Sequence, residues 1–217
     1  IYTEVNIIVQ NPLVSVIILT WNGKDLLQEC LSTLASQTYP EKEVIVVDNG
    51  STDGTIQFLR ERWGSQVSRI IENPVNVGFA KGNNQGIHAS RGDYIAILNN
   101  DTKADPLWLE ELVRAAESHP EAGMFACKIL LAHDPTLLDN VGHLLYPDGL
   151  NFSRGRMEKD LGQYDREEEV FFPSGAAALF RRVLLEDIQG FDEDFFIYGD
   201  EPDLGLRAWL RGWSCLY

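Results

Sequence analysis

The feature that most constrains this chain is an alternation in its first half. β-branched apolar runs, VSVIILT (14–20), EVIVVD (43–48), VSRIIE (67–72) and DYIAILN (93–99), are each followed by a stretch of helical period. The first, KDLLQECLSTLASQ, puts Leu26, Leu27, Cys30, Leu31 and Leu34 on one face. The others are IQFLRERWG, GFAKGNNQGIHAS and PLWLEELVRAAESHP, the last with Pro106 at a first helical position and Pro120 just past the end. GMFACKILL (123–131) reads as a further strand. Runs apolar on both faces and separated by helices predict βαβ units, hence a parallel sheet covered by helices. In such sheets ligands bind beyond the carboxyl ends of the strands. The ends here are TWN, DNGSTD, ENPVNVG and NND, all polar, so their side chains are expected to converge on one crevice.

The second half changes character. LLYPDGLNF predicts a hairpin around Pro147, Asp148 and Gly149. RGRMEKDLGQYDREEE is charged and reads as a mobile surface loop. VFFPSGAAALFRR reads as a strand of small residues open to close approach. A final helix is expected over PDLGLRAWLRG, and GWSCLY begins as a strand would, so the chain is expected to be part of a longer protein.

Bulk properties exclude some classes. A chain of 217 residues suffices for one large domain. Its net charge of -15 argues against a nucleic-acid binder, which normally carries a basic face. Three distant cysteines (Cys30, Cys127, Cys215) form neither a disulfide framework nor a zinc spacing, which predicts a reducing compartment. No apolar run approaches a membrane span, and the N-terminus lacks the basic-then-apolar pattern of a signal peptide.

Several stretches carry chemistry, each with a plainer reading beside it. Gly78, Gly82 and Gly86 do not form a dinucleotide fingerprint; Gly82 and Gly86, about one turn apart, let a helix lie close to the sheet. Lys81, Asn83 and free N–H groups at that helix N-terminus also suit a diphosphate. Ser51, Asp53 and Thr55 read as cap residues. Asp48 and Asn49 stand at the strand end itself, where an Asn amide offers an acceptor and a donor to a pyrimidine edge. Trp21 either stacks on that base or packs in the core. For Asn99, Asn100 and Asp101 an Asx turn competes with a divalent-cation site, since Mg²⁺ commonly takes only one or two protein carboxylates. In YGDEPDLGLR, Asp203 is expected to cap the helix and Arg207 to pair with it. Glu201, before a proline and so biased toward extended backbone, has no capping duty and is free to act as a base.

Together VSVIILTWN, QTYPEKEVIVVDNGSTDGT, NVGFAKGNNQGI, GDYIAILNNDT and GFDEDFFIYGDEPDLGLR resemble the family 2 glycosyltransferases, most of all their bacterial rhamnosyltransferase-type members. The resemblance implies a GT-A fold: a mostly parallel, Rossmann-like α/β sheet flanked by helices, with a smaller acceptor-side β region. It divides the chain into an extension (1–13) and one domain (14–217), with a nucleotide-binding half (14–131) and an acceptor-binding half (132–217). Thr20, Trp21 and Asn22 fall on the first nucleotide-binding stretch, Asp48 and Asn49 on the base-contacting pair, and Asn99, Asn100 and Asp101 on the D-x-D motif. Phe79, Lys81 and Asn83 join the nucleotide site, Gly175 the acceptor side. Asp200 and Glu201 fall on the acidic pair that supplies the base, with Asp200 also an acceptor contact. Two departures stand out: Asn99 replaces the first Asp of D-x-D, which leaves Asp101 as the metal carboxylate, and the acidic pair runs Asp then Glu.

The implied activity is an inverting transfer of one sugar, dependent on Mn²⁺ or Mg²⁺. The donor is a nucleoside-diphosphate sugar (UDP- or dTDP-linked, dTDP-rhamnose included), the acceptor a glycan or lipid-linked saccharide in polysaccharide or cell-wall synthesis. The absence of a Q-x-x-R-W element favours single addition over a processive synthase. The implied location is the cytoplasm, compatible with a peripheral place on the membrane. A noncatalytic nucleotide-sugar or glycan binder stays open as an alternative. A sugar-nucleotide pyrophosphorylase is less well matched, because TWNGKDLL is not a glycine-rich basic loop.

Overall fold

A computed structural model describes residues 11–217, so most of the expected N-terminal extension lies outside the described residues. One eight-stranded sheet organises the chain. Its first-half strands are β1 (Val14–Thr20), β2 (Lys42–Asp48), β3 (Arg69–Glu72), β4 (Tyr94–Leu98) and β5 (Ala122–Ala126). The expected parallel pairing holds for β1 with β2 and β4, and for β2 with β3. Helices α1 (Lys24–Ala35), α2 (Thr55–Phe58, continuing as a π-helical turn over Leu59–Trp63), α3 (Phe79–Ala89) and α4 (Trp108–Ser118) lie in the connections. The sheet separates two apolar clusters. One, around Val16, Ile18, Leu27 and Leu109, faces α1 and α4; the other, around Ile17, Ile45, Ile97 and Leu204, lies on the opposite face. Alternate residues of β1 thus bury against opposite layers, which is why its run is continuously apolar.

The strand expected over 123–131 is broken. β5 ends at Ala126, and β6 (Ile129–Leu131) pairs instead with β7 (Asp134–Asn140) in a separate ribbon. Lys128 sits in the gap, turned to Asp160 and Asp165 at 2.9 and 2.6 Å, and this ion cluster takes the chain out of the sheet. The predicted hairpin is β8 (His143–Leu145) with β9 (Asn151–Ser153). The charged loop after it is irregular but tethered: Leu138 donates to Glu158, Met157 to Leu138, and Asp160 to Thr136 through the backbone.

The second half also enters the main sheet. β11 (Ala177–Arg181) inserts antiparallel between β4 and β5, while β10 (Glu169–Val170) and β12 (Ser214–Leu216) form the far edge. The sheet order is thus β10-β12-β5-β11-β4-β1-β2-β3, and helices α5 (Arg182–Asp187) and α6 (Asp200–Leu210) pack beside it. β2 and β4 flank β1 on opposite sides, which makes the carboxyl end of β1 the switch point where ligands bind in open α/β sheets.

Candidate active site

A cleft of about 240 Å³ lies at that switch point. Its walls include Thr20 and Trp21 from the end of β1, Asn49 from β2, Gly78 and Phe79 from the start of α3, and Asn100 after β4. A larger cavity of about 360 Å³, lined by Leu31, Pro40 and Trp63 among others, lies under α1 away from these strand ends. The cleft is the better candidate because the convergent polar groups are there.

The four strand ends are tied to one another as expected. Asn100 Nδ2 donates to Thr20 Oγ1 at 2.9 Å, and Thr52 N donates to Asn22 Oδ1 at 2.8 Å. Ser51 does not cap a helix; its hydroxyl accepts the Asn22 N–H, because Asn22 adopts a left-handed φ of 50° that turns its amide across the loop. Asp53 serves helix ends as expected: its Oδ1 accepts the N–H and hydroxyl of Thr55, the first residue of α2, and its Oδ2 accepts the N–H of Lys24, the first residue of α1. Trp21 is 57% exposed, so it is a wall of the cleft and not a core residue.

Asp48 and Asn49, expected together at the base, divide their duties. Asn49 is spent: its Nδ2 donates to Asn76 Oδ1 and Gly78 O, and its Oδ1 accepts from Asn73 Nδ2 at 3.0 Å. No amide edge is left for a pyrimidine, and Asn49 instead fixes the loop before α3. Asp48 has the open position. Its Oδ2 holds the N–H groups of Gly50 and Ser51, while its buried Oδ1 has no partner. A buried oxygen without a donor costs stability, so it marks a place for a ligand N–H.

At α3 the plainer reading of the glycines is what the structure contains. A Cβ on Gly82 would come within 2.4 Å of Leu19, and one on Gly86 within 2.5 Å of Ile17. The expected diphosphate cradle is partly closed: Gly78 N donates to Asn76, and Phe79 N donates to the Phe196 carbonyl at 2.7 Å. Lys81 faces Glu193 at 3.8 Å. Asn83 is fully buried, with Nδ2 on Phe79 O and Oδ1 unpartnered.

After β4, Asn99 ties the strand back through its backbone, donating to Ala176 O and accepting from Thr102. Asp101 is exposed and makes no ion pair among the described residues, and no cluster of three metal-binding side chains occurs among them. Beyond the end of β4 the described chain presents the carboxylate of Asp101 to a divalent cation. That donor set fits Mg²⁺ or Mn²⁺ only where water and donor phosphates complete the shell.

The acidic pair opens α6. Glu201 is not extended as its place before Pro202 suggested. The helix starts at Asp200 behind a left-handed Gly199, and proline in a first turn forfeits no helix bond. Asp203 is no cap; it pairs with Arg207. Glu201 Oε1 accepts the N–H of Gly175 at 2.7 Å. A Cβ on Gly175 would meet both that oxygen and the Phe79 ring, so only glycine lets the carboxylate and the cleft wall converge there. Burial pushes the Glu201 carboxyl up to about 7, with the Gly175 N–H opposing and Asp200 adding to the rise. Asp200 is buried, with Oδ2 unpartnered, and burial raises its pKa too.

Sequence reasoning missed Asn73 and Asn76, which order the base-side loop, and Phe196 and Ile197, which wall the cleft from the far end of the chain. The Asn-rich ENPVNVG was a signal for the first two; nothing local marked the others.

The profile described as "Glycosyl transferase family 2" matches residues 15–189. The chain belongs to that family. The match stops short of Asp200 and Glu201, so the acidic pair rests on its geometry. The O-antigen biosynthesis protein RfbC of Myxococcus xanthus is 31% identical over 93% of this family 2 chain, which covers 16% of that protein. An N-acetylglucosaminyl-diphospho-decaprenol L-rhamnosyltransferase of Mycobacterium tuberculosis is 28% identical over 93% of the chain and 72% of its own length, in keeping with the rhamnosyltransferase-like branch. Among solved structures, a mannosyltransferase of Pyrobaculum calidifontis in complex with GDP-Man and Mn²⁺ superposes with a TM-score of 0.70 at 22% identity, covering 95% of this chain and 55% of that one. Staphylococcus aureus TarS with UDP-GlcNAc gives 0.69 at 21%, over 94% and 55%. These likenesses show the fold. The chain spans about half the length of those solved proteins.

Proposed function

We propose that this domain transfers a single sugar, with inversion, from a UDP- or dTDP-linked donor to a glycan or lipid-linked acceptor in polysaccharide or cell-wall synthesis. The observation that carries the reading is Glu201: a carboxylate with a pKa near 7, held by Gly175 beside the wall of a cleft at the sheet's switch point. A base poised there takes the proton of an acceptor hydroxyl as the oxygen attacks the anomeric carbon. The bond from that carbon to the diphosphate breaks on the opposite face, and its electron pair leaves with the nucleotide. Asp48 Oδ1 accepts the ring N–H of uracil or thymine, and Trp21 offers its exposed face to the base. Asp101, with the Asn100 amide beside it, would hold Mg²⁺ or Mn²⁺; the ion supplies charge stabilisation to the leaving diphosphate. Asp200 orients the acceptor.

No helix among the described residues is long and apolar enough to cross a membrane. We place the domain in the cytoplasm, reaching lipid-linked acceptors at the membrane face.

Calorimetric titration with UDP, dTDP, ADP and GDP, with and without Mn²⁺, tests the donor side. Pyrimidine nucleotides should bind best, and Asp101→Ala should lose the metal-dependent part while remaining folded. A purine nucleotide binding best, or unchanged metal-dependent affinity in the variant, contradicts the reading. Binding without release of nucleoside diphosphate in the presence of acceptors would leave the noncatalytic alternative.

A further inference from the structure

The cavity of about 360 Å³ under α1 plays no part in the chemistry of the cleft. Its size falls within the roughly 300–1,000 Å³ of small-ligand sites. Lys42 and Val44, which line it, open β2, so it lies at the other end of that strand from Asn49 and the cleft. The inner walls are apolar: Leu31 and Leu34 of α1, Val44 of β2 and Trp63 are all buried. Ala35, Pro40 and Gln66 are exposed and border its opening, with Lys42 half-buried beside them.

The polar groups of this lining are donors with capacity left. Lys42 Nζ donates to the carbonyls of Gln37 and Tyr39, at 3.4 and 2.8 Å, which occupies two of its three N–H groups. Burial lowers the Lys42 pKa, so its charge gains from a counter-charge. Gln66 Oε1 is taken by the Ser65 hydroxyl at 3.0 Å, which leaves the amide NH₂ to donate. Trp63 is 8% exposed, and its ring N–H has no partner. A buried donor left in that state costs stability. No carboxylate is among the lining residues. Trp63 also closes the π-helical turn over Leu59–Trp63, and such turns are rare and recur at functional sites.

We propose that this cavity is a second ligand site, which takes a small monocarboxylate with an apolar body. The body lies on Leu31, Leu34, Val44 and the indole. The carboxylate accepts from the Lys42 ammonium and the Gln66 amide, and it brings an acceptor to the Trp63 N–H. A single ammonium, on a chain of net charge -15, matches one negative charge and not the two of a phosphate. The site stands apart from the nucleotide reading of the cleft and does not depend on it.

Calorimetric titration of the whole chain with octanoate tests the site, with 1-octanol as the same body without the charge. Octanoate should saturate one site with a Kd of about 1 mM or tighter. Lys42→Met should weaken octanoate at least about tenfold and leave 1-octanol within about twofold. Ala35→Phe, a change at an exposed position at the end of α1, should weaken both ligands at least about tenfold by filling the opening. The chain has five tryptophans, and the indole N–H resonance missing in Trp63→Phe identifies that ring. In the parent this resonance should shift as octanoate saturates, while the Trp209 indole, bonded to the Phe171 carbonyl, stays in place. Excess UDP should leave octanoate binding unchanged. Absence of saturable binding overturns the site, as does equal octanoate affinity in the parent and both binding variants. A Trp63 indole unmoved at saturation, or displacement of octanoate by UDP, also overturns it.

Discussion

Two glutamates at opposite ends of the same sheet, one buried and one half-buried, are shifted in opposite directions. Glu43 lies at the amino end of β2. Its Oε1 accepts from Ser15 Oγ and Arg91 N, and its Oε2 from the Arg91 guanidinium. Burial alone would raise its pKa, but the Ser15 hydroxyl and the Arg91 backbone and side chain overcome it and hold the group below its ordinary value. Glu201, by the carboxyl ends, has one N–H on one oxygen and no cation paired with it among the described residues, and burial wins. The same contrast runs through both ends. The amino-end cluster continues through Gly92 N on Ser15 and Arg182 on Gly92 O and Ser90. The carboxyl end leaves buried oxygens of Asp48, Asn83 and Asp200 without partners. Ring nitrogens of Trp63, Trp108 and His143 on other elements are unpartnered too, but the carboxyl ends are where unpartnered oxygens gather beside a cleft that a ligand can enter.

The largest effect should come from breaking the satisfied end. Glu43→Ala leaves the buried Ser15 hydroxyl and the Arg91 N–H without their acceptor while the exposed guanidinium returns to water, and it should cost about 2–4 kcal/mol of stability by denaturant titration. Nucleotide affinity of the folded fraction should not change. A variant as stable as the parent would show that the amino-end cluster is only decoration on a surface ion pair, since Arg91 itself is largely exposed.

A smaller effect is expected from Asp48→Asn. Its Oδ2 holds two backbone N–H groups, so an amide rotated to keep them presents its NH₂ where the ligand N–H should arrive. UDP or dTDP affinity should fall about tenfold or more, roughly 1–3 kcal/mol, with little change in stability. Equal affinity would move the base contact elsewhere. Smaller still is Lys81→Ala: its exposed contact with Glu193 at 3.8 Å should contribute less than about 1 kcal/mol to stability. A greater loss would make that contact a true clamp on the segment above the cleft.

How much of this could be read from the sequence depended on whether the signal was local. The continuous β-branched runs of β1, β2 and β4 announced a sheet buried on both faces, and their Asn- and Asp-rich ends announced the crevice. β11 and β12 could be read as strands but not placed, because pairing order is decided by distant partners. Asp48 and Asn49 were separated for a similar reason: both looked equally available to the base until Asn73 and Asn76 were seen to engage the amide. Glu201 was legible as a group without a capping duty. Its helical backbone and its bond to Gly175 were not, since that partner comes from a loop 26 residues away.

The central claim is that Glu201 is held against its own stability because the reaction needs it. Its folded pKa of about 7 lies above the ordinary 4.5. Below about pH 4.5 the group is protonated in both states and costs nothing. As pH rises toward 7 the unfolded chain ionises first, so stability falls, and above 7 the full penalty is present, at most about 3 kcal/mol. The decisive measurement is Glu201→Gln, compared with the parent in thermal unfolding at pH 5 and pH 8 and in release of nucleoside diphosphate. The account predicts a variant that melts higher than the parent at pH 8, with the gap shrinking at pH 5. It should bind donor normally and turn over at least about a hundredfold more slowly. A variant that melts lower at pH 8 and keeps its turnover would make Glu201 a structural group and contradict the account.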